Sequence, residues 1–301
     1  MNTINRIATI VFAASALLLS SCAKEKAVGI AEGELVECTL QAEVAGTGAG
    51  LDIDTKVALN SDGITPNWVS GDEILVLGAD YKPVGKDGGI FTLSTGAGSA
   101  SGKFTGTAYV GQKPTYAIYP ASAATTSGAS PVTAGTLSVP AGNDAGSIKS
   151  AVMLGTSSNG KSVSFTNACA VLTFNTGDYG KTDGDLAIKS VKVSASYGET
   201  ATPIAGAFTI DWTATPPTIA PAGSGTVNEL TVTLPSALQT KNKDIYIPIF
   251  PLPMESSTAP SMKYEFTNAG AGVAEVSYDF SAAIAANTLK TLGTAQGMEF
   301  K

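Results

Sequence analysis

The sequence predicts an all-β protein built as two consecutive β-sandwich domains, and three observations carry that prediction. Glycine (33 residues) and proline (15) recur throughout, with Ala, Ser and Thr between them, a composition that breaks helices early. Between the breakers lie short runs of alternating or wholly apolar residues, about six to eight per half, as sandwiches require. A length of 301 residues is enough for two such domains. The expected divisions are residues 1–21, a tether at 22–33, a first domain at 34–157 and a second at 158–301.

The first segment reads as an address. Arg6 precedes an apolar run, Ile7–Leu19, that is too short to span a bilayer as a helix. It ends Leu19-Ser20-Ser21-Cys22, which resembles a bacterial lipobox, so Cys22 is the expected lipidated first residue of the mature chain. Acyl chains there would anchor the protein stably to the outer membrane.

Each later element has a local reason. Glu34–Val44 alternates imperfectly, with Leu35, Leu40 and Val44 set among Glu37, Gln41 and Glu43, and predicts a first strand. A glycine-rich loop and TKVALN at 55–60 follow. In TPNWVSGDEILVL at 65–77, Gly71-Asp72 forms the turn and Ile74–Leu77 predicts a strand buried on both faces. Lys86-Asp87-Gly88-Gly89 predicts a hairpin turn before Ile90-Phe91, and SGKFTGTAYV at 101–110 the next strand. YAIYPA at 116–121 predicts a strand closed by Pro120, and Leu137–Val139 a short one. Ser162–Asn175 is the longest β-like run and is expected to open the second domain. Strands follow at 188–194, 203–211, 229–234, 244–252, 263–267, 274–280 and 288–294, and the last five residues alternate as well. Pro248 and Pro251 predict that 244–252 lies at a sheet edge or carries a bulge.

Composition also narrows the chemistry. The net charge of −7 disfavours a nucleic-acid partner. With no histidine in the chain, Ser-His-Asp and Cys-His sites are excluded, together with the commonest transition-metal ligand. Asp52/Asp54 and Asp183/Asp185 lack the remaining ligands of a calcium loop and read as solvated acids. Cys38 and Cys169 read as buried free thiols. No cofactor, metal or catalytic residue is expected. Trp68 reads as core; a glycan-binding role would instead need Trp212, Tyr109 and Tyr197 to form an exposed coplanar platform.

The Trp68 segment and YAIYPA, in that order, resemble the N-terminal domain of the Bacteroidetes fimbrillins, the lipoprotein pilins of type V pili. Ser162–Asn175, DIYIPIFPL at 244–252 and NTLKTLG at 287–293 resemble later fimbrillin segments. The resemblance implies Greek-key or transthyretin-like sandwiches and a non-catalytic subunit of a surface fimbrium, assembled by β-strand exchange. It implies that proteolysis removes the first strand, Glu34–Val44, and that a partner's strand fills the place. Met298 and Phe300 would sit in the donor segment. Fimbrillins are best known to be cut at arginine, but Arg6 is the only arginine here and Lys56 is the basic residue near the cut. An uncut chain would suit an anchor or tip better than a stalk. Partners would be other pilin subunits, with a host protein or glycan as adhesion target. The alternative is a glycan-binding lipoprotein of a polysaccharide-uptake system.

Overall fold

The computed structural model describes residues 34–44, 67–85, 88–126, 130–139, 151–179, 184, 186–236, 238–294 and 298–301. Cys22, Lys56, Asp52, Asp54, Asp183 and Asp185 lie outside them. The described residues hold eighteen strands and a 3-10 turn at Ala121–Ala123, so the chain is all-β.

Seven strands close into a barrel. They are β1 (Leu35–Val44), β2 (Glu73–Leu77), β3 (Ile90–Thr95), β4 (Ser101–Tyr109), β5 (Tyr116–Tyr119), β7 (Met153–Thr156) and β8 (Ser162–Asn167), in the order β1-β4-β3-β2-β5-β7-β8. The circuit closes where β1 meets β8 in parallel. Inside sit Cys38, Leu40, Trp68, Ile74, Val76, Phe91, Phe104, Tyr119, Met153 and Phe165. The alternate residues of β2, Leu75 and Leu77, point outward into a second core, so this strand is buried on both faces as its unbroken apolar run predicts.

That second core joins the barrel to a three-stranded sheet. β6 (Ala134–Leu137) and β13 (Thr218–Val227) flank β12 (Ala205–Asp211), and Phe208, Ile210 and Trp212 pack with Leu75, Leu77, Ile118 and Leu154. Gly135 is a packing requirement, since a Cβ there would lie 2.4 Å from the Phe208 ring. β13 was not expected: TIAPAGSGTV has little β propensity, and a bulge in its pairing with β12 lets it follow that strand.

The remainder packs two open sheets face to face. β10 (Ile188–Tyr197) pairs with β16 (Ser261–Asn268) on one side, and with β11 (Thr200–Thr202) and β14 (Glu229–Thr233) on the other. β17 (Val273–Asp279) follows β16. Opposite lie β15 (Asp244–Ile249), β9 (Ala170–Asn175) and β18 (Leu289–Thr294), and Leu172, Phe174, Val191, Ile247, Tyr264 and Phe266 fill the space between. β15 pairs only with β9 and is an edge strand, in keeping with Pro248.

The run 162–175 is not one strand. Asn167 Oδ1 accepts the Cys169 N–H at 3.0 Å and Ala168 N–H bonds the Val152 carbonyl, so the chain turns at 168–169. β8 stays with the barrel while β9 enters the second sandwich. The expected division between 157 and 158 therefore falls between β7 and β8, which pair with each other, and β6 pairs across it with β12. Cys38 and Cys169 are both buried, and no disulfide joins them. Residues 298–301 are not a strand, although their sequence alternates.

Candidate functional site, the strand that closes the barrel

β1 is the first strand of the barrel in chain order, so its removal by one cut would leave the other six joined in an open sheet with a groove. It pairs antiparallel with β4 over nine positions, from Leu35↔Tyr109 to Glu43↔Ser101. With β8 it pairs over only four, from Gln41↔Ser162 to Val44↔Phe165. Backbone bonds divide by parity. Val110 N–H reaches the Glu34 carbonyl and Val44 N–H the Ala100 carbonyl, so even-numbered residues face β4. Gln41 N–H reaches Lys161, so odd-numbered ones face β8.

The side chains follow the same alternation. Cys38, Leu40 and Ala42 are fully buried, with Val36 and Val44 packed at the two ends. Leu35 lies on the outer face and is 36% exposed, so it is Val36, not Leu35, that belongs to the inward set. The wall facing β1 is shaped to it. Leu40 stands opposite Phe104, while Cys38 and Ala42 stand opposite Gly106 and Gly102. A Cβ at Gly102 would come within 2.7 Å of the Trp68 ring, and one at Gly106 within 2.7 Å of the Phe91 ring. Small residues therefore let two large rings reach beneath β1, the alternation of sizes by which narrow barrels fill their interiors.

Trp68 is the centre of this interior. It is 1% exposed and meets Phe104, Tyr119 and Phe165 edge-on, with centroids 4.9, 5.4 and 5.7 Å away. Its main chain is held by Ser99 and Gly98. The turn after it is fixed by Asp72, whose carboxylate accepts the Val69 N–H at 2.7 Å and the Tyr119 hydroxyl at 2.8 Å. The two segments that stand out in the sequence, 65–77 and 116–121, thus meet through this side-chain bond as well as through the pairing of β2 with β5. Burial first, then the Asp72 charge and hydrogen bond, push the Tyr119 hydroxyl far above the usual tyrosine range.

The C-terminal residues lie elsewhere. Met298 and Phe300 pack against the second sandwich, where Tyr179 donates its hydroxyl to the Met298 carbonyl at 2.8 Å and meets the Phe300 ring edge-on. Lys301 exchanges two backbone bonds with Val273. The structure does not bring these residues to β1.

The aromatic platform required for glycan binding is not formed. Trp212 is 5% and Tyr197 8% exposed. Trp212 stacks on Tyr81 and donates its Nε1–H to the Val132 carbonyl at 2.7 Å, inside the core that joins barrel and sheet. Among the described residues no cluster of three or more His, Cys, Asp or Glu side chains could hold a metal ion.

No protein-family model and no curated protein matches the chain. Solved structures do resemble it. A candidate cell adhesion protein from Bacteroides uniformis aligns at 18% identity over 88% of this chain and 95% of its own, with a TM-score of 0.48. A fimbrial assembly protein from Parabacteroides distasonis aligns at 14% identity over 89% and 95%, with a TM-score of 0.36. At such identities and scores the likeness transfers no function.

Proposed function

We propose that this chain is a structural, adhesive subunit of a type V fimbrium on the outer surface of a Bacteroidetes-type cell, assembled by exchange of β1. The observation that carries this reading is the seating of β1. It is long, buried along one face and joined on its second side by a parallel seam of four residue pairs. Removing it would leave a groove lined by Phe104, Trp68 and Phe165, flanked by unpaired backbone groups of β4 and β8. A strand from another subunit satisfies both needs, main-chain bonds for affinity and alternating side chains for register.

Under this reading Cys22 carries the lipid anchor, the cut falls near Lys56, and β1 is what maturation removes. Met298 and Phe300 alternate in the manner the groove asks of a donor. An uncut chain would serve as an anchor or tip. The buried Trp212 and Tyr197 weigh against the glycan-uptake alternative.

The test is to express the chain without residues 34–44 and analyse it by size exclusion and unboiled denaturing gels. A ladder of heat-sensitive multimers that collapses when a synthetic 34–44 peptide is added supports exchange. A truncated protein that stays folded and strictly monomeric refutes it.

A further inference from the structure

We propose that the free edge of β17 is a separate docking edge, built to take an extended basic segment of another protein. Backbone parity identifies which groups are open. Asn268 N–H bonds the Gly272 carbonyl and Phe280 N–H the Pro260 carbonyl, so even-numbered residues of this strand face β16. Val273 turns the other way, and both its N–H and its carbonyl bond Lys301 at 3.0 Å. Glu275, Ser277 and Asp279 share that outward direction and have no backbone partner among the described residues. The edge thus already accepts one extended residue, and the ladder stops there.

The reason it stops lies in the charges. Continuing the Lys301–Val273 pair by one antiparallel step would set Glu299 directly opposite Glu275, with both side chains on one face. The two segments diverge instead, leaving a groove of about 750 Å³ lined by Val273–Val276, Met298, Glu299 and Lys301. A second copy of β17 is disfavoured for the same reason. Antiparallel pairing about Ser277 would place each Glu275 against an Asp279, acid on acid.

These features specify the occupant. On the outer face an incoming strand meets exposed Glu275 and Asp279, with Glu299 beside them; Glu275 is shared with Lys263 at 2.8 Å. On the inner face it meets the half-buried Val276 and Tyr278, which border the sandwich core. The fit is a strand that alternates Lys or Arg with apolar residues. Main-chain bonds to 275, 277 and 279 supply affinity, and the acids select the partner. The edge belongs to the second sandwich and does not depend on β1 exchange.

The experiment uses the intact chain and a peptide of about ten residues alternating lysine with valine. Binding is followed by calorimetry and by amide hydrogen exchange. The expected result is slowed exchange at Glu275, Ser277 and Asp279. Ser277→Pro removes an outward N–H that β16 does not use, so the fold is retained and the peptide binds about tenfold more weakly. The double variant Glu275→Lys, Asp279→Lys should instead prefer a peptide alternating glutamate with valine. Absence of binding overturns the proposal. So does binding that is indifferent to Ser277→Pro and protects none of the three amides, which would mean diffuse attraction to an acidic protein.

Discussion

Every strand of the barrel has a hydrogen-bonded neighbour on both sides, whereas the five-stranded sheet of the second half stops at β17, whose outer edge, among the described residues, meets only Lys301. The barrel removes its edges by closure, and closure depends on β1 with its short parallel seam to β8. The second sandwich keeps an edge and guards it with Glu275 and Asp279. One half is protected by a strand that must stay in place. The other is protected by charge, with no strand among the described residues committed to it. An all-β chain can therefore place its two kinds of edge under different control.

The largest effect that would sharpen this contrast is at the barrel's centre. Trp68→Ala should cost about 3–5 kcal/mol, because three aromatic rings lose their shared partner and the barrel cannot collapse around the void. Urea denaturation reads this as a lowered midpoint. Should the midpoint barely move, closure would not depend on the packing described here.

Proline scanning comes next. Ala42→Pro deletes a bond to β4 and crowds a filled interior, at about 2–4 kcal/mol. Ser277→Pro in β17 should change stability by less than about 0.5 kcal/mol, since its N–H serves no strand. Equal losses at the two sites would erase the distinction between closed and open edges.

Tyr119→Phe is expected to cost about 1–2 kcal/mol, by breaking the bond that ties β5 to the Asp72 turn. It also tests a pH dependence. The folded protein holds the Tyr119 proton above the ordinary value of 10.0, as it does for buried Tyr264, where burial is again the main cause and Tyr278 the lesser one. The unfolded chain therefore releases these protons first, and stability should fall as pH rises above about 10. Alkaline titration of tyrosine absorbance should show two hydroxyls that ionise only on unfolding, and one in Tyr119→Phe.

Smallest of all should be the loss of the outer-face ion pair Lys263–Glu275, within about 0.5 kcal/mol and weaker in salt, because both side chains are half exposed. A larger loss in Lys263→Ala would show that the β17 edge is held more firmly than its exposure implies.

Much of this was legible in the residues. The all-β class, the Gly71-Asp72 turn, the doubly buried 74–77 strand and the edge character of 244–249 follow from local rules that act over a few neighbours. The first strand was legible too, and Leu40 and Val44 point inward as expected, but the rest of its inward face was not legible. Leu35 is the obvious apolar residue, yet Cys38 and Ala42 fill the interior because Gly106 and Gly102 across from them yield their space to Phe91 and Trp68. β13 escaped notice because its sequence is poor in strand formers and is held by its pairing with β12 and the burial of Ile219.

The residues alone determined most of what is strand and turn and most of the apolar faces, since those depend on backbone propensities and on alternation between adjacent residues. Only the tertiary structure decided which strand pairs with which. The parallel meeting of β1 with β8, the passage of β6 to β12, and the bond from Tyr119 to Asp72 all join residues far apart in the chain. No local preference selects such partners. They are fixed by how several apolar faces can be buried at once, and that is a property of the whole packed molecule.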